Sequence, residues 1–248
     1  MDLVSVIIPY YKKRNFVKET IVSVIDQSYD FLEILIIYDD TNLNDLEFLQ
    51  KISKLDNRIK IINNNKRLGA GLSRNKGIEQ SNGKYIAFID ADDTWAPDKL
   101  KDQISFMKKN NYQISHTSYF IVDEKKKIIG QRKARNLLSV NEVLKSCDIG
   151  LSTVIIEKKV IVKTNTKFPQ LVTKEDFVFW ISLLKINYKF YAFDSNLTNW
   201  TDSKNSLSSN TIQKLFDGFK VYNYYMNFNI IKSVYYLICL SLNYLKKK

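Results

Sequence analysis

Gly83-Lys84-Tyr85-Ile86-Ala87-Phe88-Ile89-Asp90-Ala91-Asp92-Asp93 is the stretch on which the fold turns. Tyr85 to Ile89 is unbroken by polar residues and stops at three carboxylates, Asp90, Asp92 and Asp93. A short apolar run closed by a polar turn is the mark of a strand buried on both faces of a parallel sheet. The same signal recurs upstream. Val4–Ile8 ends at Pro9, Glu33–Tyr38 ends at Asp39-Asp40, and Ile59–Ile62 forms a further run. Between these runs, Phe16 to Ile25, Leu43 to Leu55 and Ala70 to Gln80 place apolar residues at helical spacing. Repeated β-α units predict an α/β fold, with a Rossmann-like, mostly parallel central sheet flanked by helices. Open sheets of this kind bind ligands beyond the carboxyl ends of their strands. That edge is where Asp39, Asp40, Asp90, Asp92 and Asp93 fall.

Downstream the pattern loosens. Pro97 to Lys108 reads as a helix, Ile114–Val122 as a strand, Lys125–Lys127 as a hairpin turn and Ile128–Gly130 as its return. Glu142–Cys147 reads as a short helix, Thr153–Ile156 as a strand, Phe177 to Leu184 as an amphipathic helix and Phe190–Phe193 as a last strand. The tail from Ile212 to Lys248 is rich in Tyr, Phe, Leu and Lys, and its longest apolar run is Val234–Leu240. A spanning helix needs ~20 apolar residues. The tail therefore reads as an amphipathic helix lying on a membrane, or as helices packed on the domain or on a second subunit of a homodimer.

With 248 residues, 45% of them hydrophobic and 26% charged, the chain has material for a core, and disorder is excluded. Seven glycines and three prolines leave no room for collagen-like or linker-rich readings. Cys147 and Cys239 form neither a disulfide framework nor a metal-ligand pattern with the single His116, which points to a reducing, cytoplasmic setting. Met1–Pro9 reads as a buried strand, since an acid stands where a targeting peptide carries bases. The net charge of +12 favours an anionic partner: nucleic acid, a nucleoside diphosphate or a membrane face. The alternative is a solvated lysine-rich surface. No nucleic-acid recognition signature accompanies the charge, so no nucleic-acid partner is expected.

Three segments carry candidate chemistry. Carboxylates as close as Asp90, Asp92 and Asp93 repel one another and raise each other's pKa unless neutralised. Mg²⁺ or Mn²⁺ accomplishes this, binding one or two carboxylates together with phosphate oxygens. The competing reading is a solvated turn that caps the next helix. Asn65 to Gly77 is a glycine-containing loop entering a helix, an anion site by virtue of its free N–H groups. Arg67 and Arg74 in it are placed to reach a pyrophosphate. Its spacing matches neither the P-loop nor the dinucleotide fingerprint. Glu175-Asp176 opens a helix, either as plain dipole matching or as a general base for a hydroxyl. His116 and the three tryptophans, Trp95, Trp180 and Trp200, read as core residues first; a tryptophan stacked on a sugar is the alternative.

Taken together, these segments resemble family 2 of the inverting glycosyltransferases, which have the GT-A fold. The resemblance rests on Val4 to Tyr11, Ser23 to Tyr29, Glu33 to Asp40, Asn63 to Gly77, Gly83 to Asp93, Pro97 to Leu100, Ser152 to Val154 and Glu175-Asp176, in that order over Leu3–Leu184. It implies a GT-A domain over 1–205, with a nucleotide-binding half (1–110) and an acceptor half (111–205), followed by a helical tail (206–248). It implies that Pro9, Tyr10, Tyr11, Asp39, Asp40, Arg67, Arg74, Asp90 and Ala91 bind the nucleotide-sugar, with Asp40 on the uracil base. Asp92, with Asp93 as its substitute, would hold Mn²⁺ or Mg²⁺. Asp176 would deprotonate the acceptor, supported by Glu175.

The implied donor is a UDP-sugar and the implied acceptor a glycan or lipid-linked saccharide, as in lipopolysaccharide, capsule or O-antigen assembly at the cytoplasmic face of the inner membrane. Two departures lie beside the nucleotide pocket. Lys12 stands where the family has Asn, and Thr41-Asn42 where it has glycine. A nucleotidyltransferase would need a glycine-rich basic loop after the first strand, and Pro9-Tyr10-Tyr11-Lys12-Lys13-Arg14 contains no glycine. A basic nucleic-acid-binding module would leave the acid cluster without a purpose.

Overall fold

The computed structural model describes residues 1–203 and 210–246, so the boundary expected at 206 and the last two lysines lie outside the described residues. The first half alternates β1 (Val4–Tyr10), α1 (Arg14–Ile25), β2 (Leu32–Tyr38), α2 (Leu43–Ser53), β3 (Ile59–Asn63), α3 (Ala70–Gln80) and β4 (Tyr85–Phe88). β1 pairs with β2 on one side and β4 on the other, and β2 with β3, all parallel. The order β3-β2-β1-β4 turns about between β1 and β4. A crevice forms where an open sheet reverses direction in this way. β4 pairs with β1 only from Val4 to Ile7, so Pro9 costs the ladder no donor on that side, and the two strand tips diverge beyond it.

The second half adds β5 (Thr94–Trp95), α4 (Lys99–Lys109), β6 (Ile114–Val122), β7 (Ile128–Arg132), α5 (Val140–Val143), β8 (Ile155–Glu157), α6 (Lys158–Thr164), α7 (Glu175–Lys185) and β9 (Tyr191–Thr201). These strands extend the sheet as β4-β8-β6-β9-β5, with β7 on β6. β8 is antiparallel to both β4 and β6, while β9 runs parallel to β6. The parallel sheet expected from the sequence is thus its first half.

Two elements differ from expectation for identifiable reasons. Leu151–Thr153 is a tight helical turn ahead of β8, because Ser152 is drawn into the carboxylate turn. β9 runs well past Phe193, through polar residues that do not read as a strand, because β6 pairs with it as far as Thr201. The hairpin turn at Lys125–Lys127 is as expected: Asp123 Oδ1 accepts from the N–H groups of Lys125 and Lys127, both at 2.9 Å.

Alternation along β1 sends Val4, Val6, Ile8 and Tyr10 into one core with α1 and α4, and Ile7 into the other with α7. The last elements, α8 (Thr211–Lys220), a wide turn at Val221–Tyr225 and α9 (Ile230–Lys246), pack onto this second core. The hydroxyl of buried Tyr222 donates to the Leu144 carbonyl at 2.6 Å, and Asp217 accepts from the Thr173 backbone N–H at 2.9 Å and its hydroxyl at 3.0 Å. Among the described residues no helix is long and apolar enough to cross a membrane.

Candidate active site

The crevice is walled by the tips of β1, β2 and β4 and by the start of α3. Just beyond β1, Lys12 takes a left-handed conformation (φ 51°), and its N–H donates to Asp40 Oδ2 at 3.1 Å. Asparagine tolerates that conformation better than lysine does. Asp40 Oδ1 also accepts from the N–H groups of Thr41 (2.7 Å) and Asn42 (3.3 Å), so it holds both strand ends. Asn42 supplies the side-chain cap of α2 that a glycine lacks. Asp39 is buried, and its oxygens accept from Leu68 N–H and Gly69 N–H, each at 2.7 Å, and from Asn64 Nδ2 at 2.8 Å. It therefore anchors the loop that leads into α3. On that loop the exposed guanidinium of Arg67 stacks 4.0 Å from the ring of Tyr11. Tyr10 points the other way: its ring is buried against Tyr38, and its hydroxyl donates to Asp45 at 2.6 Å. The Ala91 methyl is likewise in the core. The side chains of Tyr10 and Ala91, expected at the nucleotide, are thus turned into the core.

Asp90, Asp92 and Asp93 have three different environments. Asp93 is fully buried; Oδ2 accepts from Ser152 Oγ at 2.5 Å and Oδ1 from Thr201 N–H at 2.9 Å. Burial first, then Asp92 and Asp90, push its pKa well above the usual carboxylate range. Asp92 lies 2.6 Å from Lys13 Nζ, and the Ser203 hydroxyl donates to it at 3.3 Å. Burial raises its pKa against the pull of Lys13. Asp90 is the most open of the three, and Oδ1 accepts from Arg74 Nη2 at 2.7 Å.

Arg74 joins the two halves. Its side chain is 4% exposed, with Nη2 on Asp90 and Nη1 on Glu175 Oε1 at 2.6 Å. Burial alone would lower the guanidinium pKa, but the two carboxylates outweigh it and raise it. The α3 helix approaches closely enough to achieve this because it lacks side chains at two contacts. A Cβ on Gly77 would lie 2.5 Å from Ile7 Cγ2, and one on Gly71 would lie 2.8 Å from the Pro169 carbonyl. Burial pushes the Glu175 carboxyl up to about 7; Arg74 opposes this and Asp176 adds to it. Asp176 is raised by burial as well, against the pull of Lys174 and Arg74. Its Oδ1 accepts from Phe177 N–H at 2.7 Å in the first turn of α7.

The structure thus brings Arg74, Asp90, Asp92, Glu175 and Asp176 into one cluster, sets the Tyr11–Arg67 stack and Asp40 at the neighbouring strand ends, and uses Asp39 and Asp93 as struts. Lys13, Ser203 and Thr201 are additions that the sequence did not announce. Lys13 meets Asp92 only because the strand order sets β1 beside β4.

Among the described residues no three ligating side chains are preassembled around one point. The donor set nevertheless suits a hard divalent cation. Asp92 and Asp90 offer carboxylate oxygens, an ammonium group already sits on Asp92, and such ions complete their shell with phosphate oxygens and water. Packing accounts for His116 and for two of the three tryptophans, while Trp200 is only partly buried. Trp95 is buried and donates from Nε1 to the Ser152 carbonyl at 2.8 Å, and Trp180 is buried in the second core. His116 is buried with Nε2 at 2.9 Å from the Arg135 carbonyl, and burial lowers its pKa to about 4.

Residues 5–161 match the family model described as glycosyl transferase family 2. The chain belongs to that family. It is accordingly a glycosyltransferase with the GT-A fold. TuaG of Bacillus subtilis, named for a glycosyltransferase role in teichuronic acid biosynthesis, is 31% identical across 99% of this chain and 97% of its own length. WfgD of Escherichia coli, named as a UDP-Glc:α-D-GlcNAc-diphosphoundecaprenol β-1,3-glucosyltransferase, is 33% identical across 95% of this chain and 91% of its own. Among solved structures, S. aureus TarS with UDP-GlcNAc superposes with a TM-score of 0.71 at 18% identity, over 96% of this chain and 70% of that one. A Pyrobaculum calidifontis mannosyltransferase with GDP-Man and Mn²⁺ gives 0.70 at 14% identity, over 94% and 69%. These two likenesses are of fold.

Removing one partner of a buried ion pair strands the other charges. Arg74→Gln is therefore expected to cost about 3–5 kcal/mol of stability in urea unfolding at neutral pH. The loss should shrink toward acid pH as Glu175 takes up a proton. A cost below about 1 kcal/mol would show that Asp90 and Glu175 do not depend on the guanidinium.

Proposed function

We propose that this enzyme transfers a sugar, with inversion, from a UDP-sugar to a hydroxyl of a lipid-linked saccharide in the assembly of a bacterial surface polysaccharide. The observation that carries the reading is the Arg74 clamp, which puts the acidic pair at the start of α7 beside the carboxylate turn at the tip of β4. One centre then holds both a diphosphate-side cluster and an acceptor-side base. Near full-length similarity to WfgD supports the donor and acceptor classes, and that to TuaG the surface-polysaccharide setting. In the same reading, 1–110 is the nucleotide-binding half and 111–205 the acceptor half.

The uracil lies along the backbone of Pro9–Tyr11 between Asp40 and the Tyr11–Arg67 stack. Arg67 and the N–H groups opening α3 face the diphosphate. Mn²⁺ or Mg²⁺, when bound, would be held by Asp92 with Asp90 and would neutralise charge on the departing diphosphate. Asp93 holds the turn in place, because both its oxygens are consumed by Ser152 and Thr201. Asp176 takes the proton of the acceptor hydroxyl. Glu175, fixed by Arg74, keeps the recess charged and oriented. The acceptor oxygen bonds to the anomeric carbon on the face opposite the diphosphate, the bond from that carbon to the β-phosphate oxygen breaks, and UDP leaves. Positioning and preorganised charge supply most of the barrier lowering.

A transfer assay over UDP- and GDP-sugars with Mn²⁺, using a diphosphate-linked N-acetylhexosamine acceptor, tests the reading. Asp176→Asn is expected to lower kcat by about 10²–10⁴-fold with KM for the donor little changed; an unaltered kcat would remove Asp176 as the base.

The pH profile carries a second expectation. A carboxyl raised to about 7 keeps its proton until near neutrality. Ionisation of Glu175 through this range completes the charge of the recess in which Asp176 acts, so transfer should rise with pH up to about 7 and level off above it. Stability runs the other way. The group's contribution is complete below the ordinary glutamate range and is lost as pH climbs through about 7. Glu175→Gln should flatten the stability profile; a profile as steep as that of the native enzyme would refute the assignment.

A further inference from the structure

The two tail helices carry a surface that the transfer chemistry does not use. α8 and α9 meet where Gly218 faces Leu237, and their inner sides join the core through Asp217, Tyr222 and Leu240. Their outer sides are apolar. On α8, Ile212, Leu215 and Phe216 are exposed at spacings of three and four. On α9, Ile231, Val234, Tyr235 and Ile238 form one stripe of the same period. Ile231 is 83% exposed, Ile212 81% and Tyr224 in the intervening turn 77%. A soluble surface does not gather so many large apolar side chains on two adjoining helices without a partner.

The charges around these stripes decide which partner. From residue 211 to the end the only acid is Asp217, and it is buried, accepting from Thr173. The bases are Lys214, Lys220, Lys232 and Lys246–Lys248. Lys220 lies 4.5 Å from the Phe216 ring, Lys232 lies 3.9 Å from the Phe228 ring and, from α5's end, Lys145 lies 5.8 Å from the Tyr235 ring. Lys145, Lys220 and Lys232 thus lie beside aromatic rings on and around the two helices. A second copy docking on this face would set lysine against lysine with no carboxylate between them, since a two-fold interface pairs a surface with itself. A surface of anionic headgroups over acyl chains satisfies both parts at once. α9, at 17 residues, is long enough to lie along a bilayer surface and too short and polar to span it.

We propose that the outer face of α8 and α9 is an interfacial membrane-binding surface specific for anionic phospholipid, with the helices lying in the plane of the bilayer. The exposed apolar side chains enter the headgroup boundary, and the lysines reach the phosphates.

Flotation of the full-length protein with phosphatidylglycerol/phosphatidylcholine vesicles, and with phosphatidylcholine alone, tests this without reference to sugar transfer. Binding is expected to the anionic vesicles, to weaken several-fold between 0.05 and 0.5 M salt, a roughly threefold shorter screening length, and to be at least tenfold weaker for phosphatidylcholine alone. Phe216→Glu with Ile231→Glu should lower binding at least tenfold while leaving the Tm and the rate of donor hydrolysis as in the native chain. Unimpaired flotation of that variant, or no flotation of the native chain, overturns the proposal. So does a native dimer in solution that the variant dissociates, since that would give the face to a second copy. Donor hydrolysis that persists without flotation would leave the transferase reading standing on its own.

Discussion

A buried guanidinium between two carboxylates is the constraint around which this molecule is arranged. Arg74 sits on α3, Asp90 at the tip of β4 and Glu175 at the start of α7, and the contacts of Arg74 with both acids tie the halves of the domain together. Each charge alone would be costly to bury; the one guanidinium offsets part of that cost for both carboxylates. The packing of α3 is subordinate to this arrangement. The absence of side chains at Gly71 and Gly77 lets the helix lie against Ile7 and Pro169 closely enough to aim Arg74 inward.

The acids around that cation divide into supports and working groups. Asp39 ties the loop before α3 to the end of β2, and Asp93 ties the carboxylate turn to β9 and Ser152, so neither has an oxygen to spare. Asp92 and Asp90 stand where a cation and a diphosphate are proposed to meet, each paired with a base, Lys13 from the neighbouring strand tip and Arg74 from α3. Asp176 and Glu175 are held in a desolvated recess that lifts their pKa values toward neutrality, as suits a group that must take a proton and later release it.

Much of this was readable before any coordinate. The parallel first half followed from four apolar runs, each ending at a polar turn, and the placement of the acids followed from the end of the strand at which they stood. The second half was less legible because its strands take their identity from partners. β9 is polar around Asp194 to Asn196 and is a strand through its pairing with β6 and β5, and Thr153, expected in β8, lies in the turn whose Ser152 binds Asp93. The distinction among Asp90, Asp92 and Asp93 was not accessible from spacing, since it depends on residues from positions as far apart as Lys13 and Ser203. The tail showed its amphipathic composition in the sequence; which side chains face outward required the packing of Tyr222 and Asp217.

The central claim is that Asp92 and Asp90 form a donor site whose affinity depends on a divalent cation. Calorimetric titration of UDP into the enzyme with and without Mn²⁺ tests it directly. The account predicts that Mn²⁺ tightens UDP binding at least tenfold and that Asp92→Asn abolishes this coupling, with the fold intact by circular dichroism. UDP binding of equal strength with and without Mn²⁺, or coupling that survives in Asp92→Asn, would contradict it.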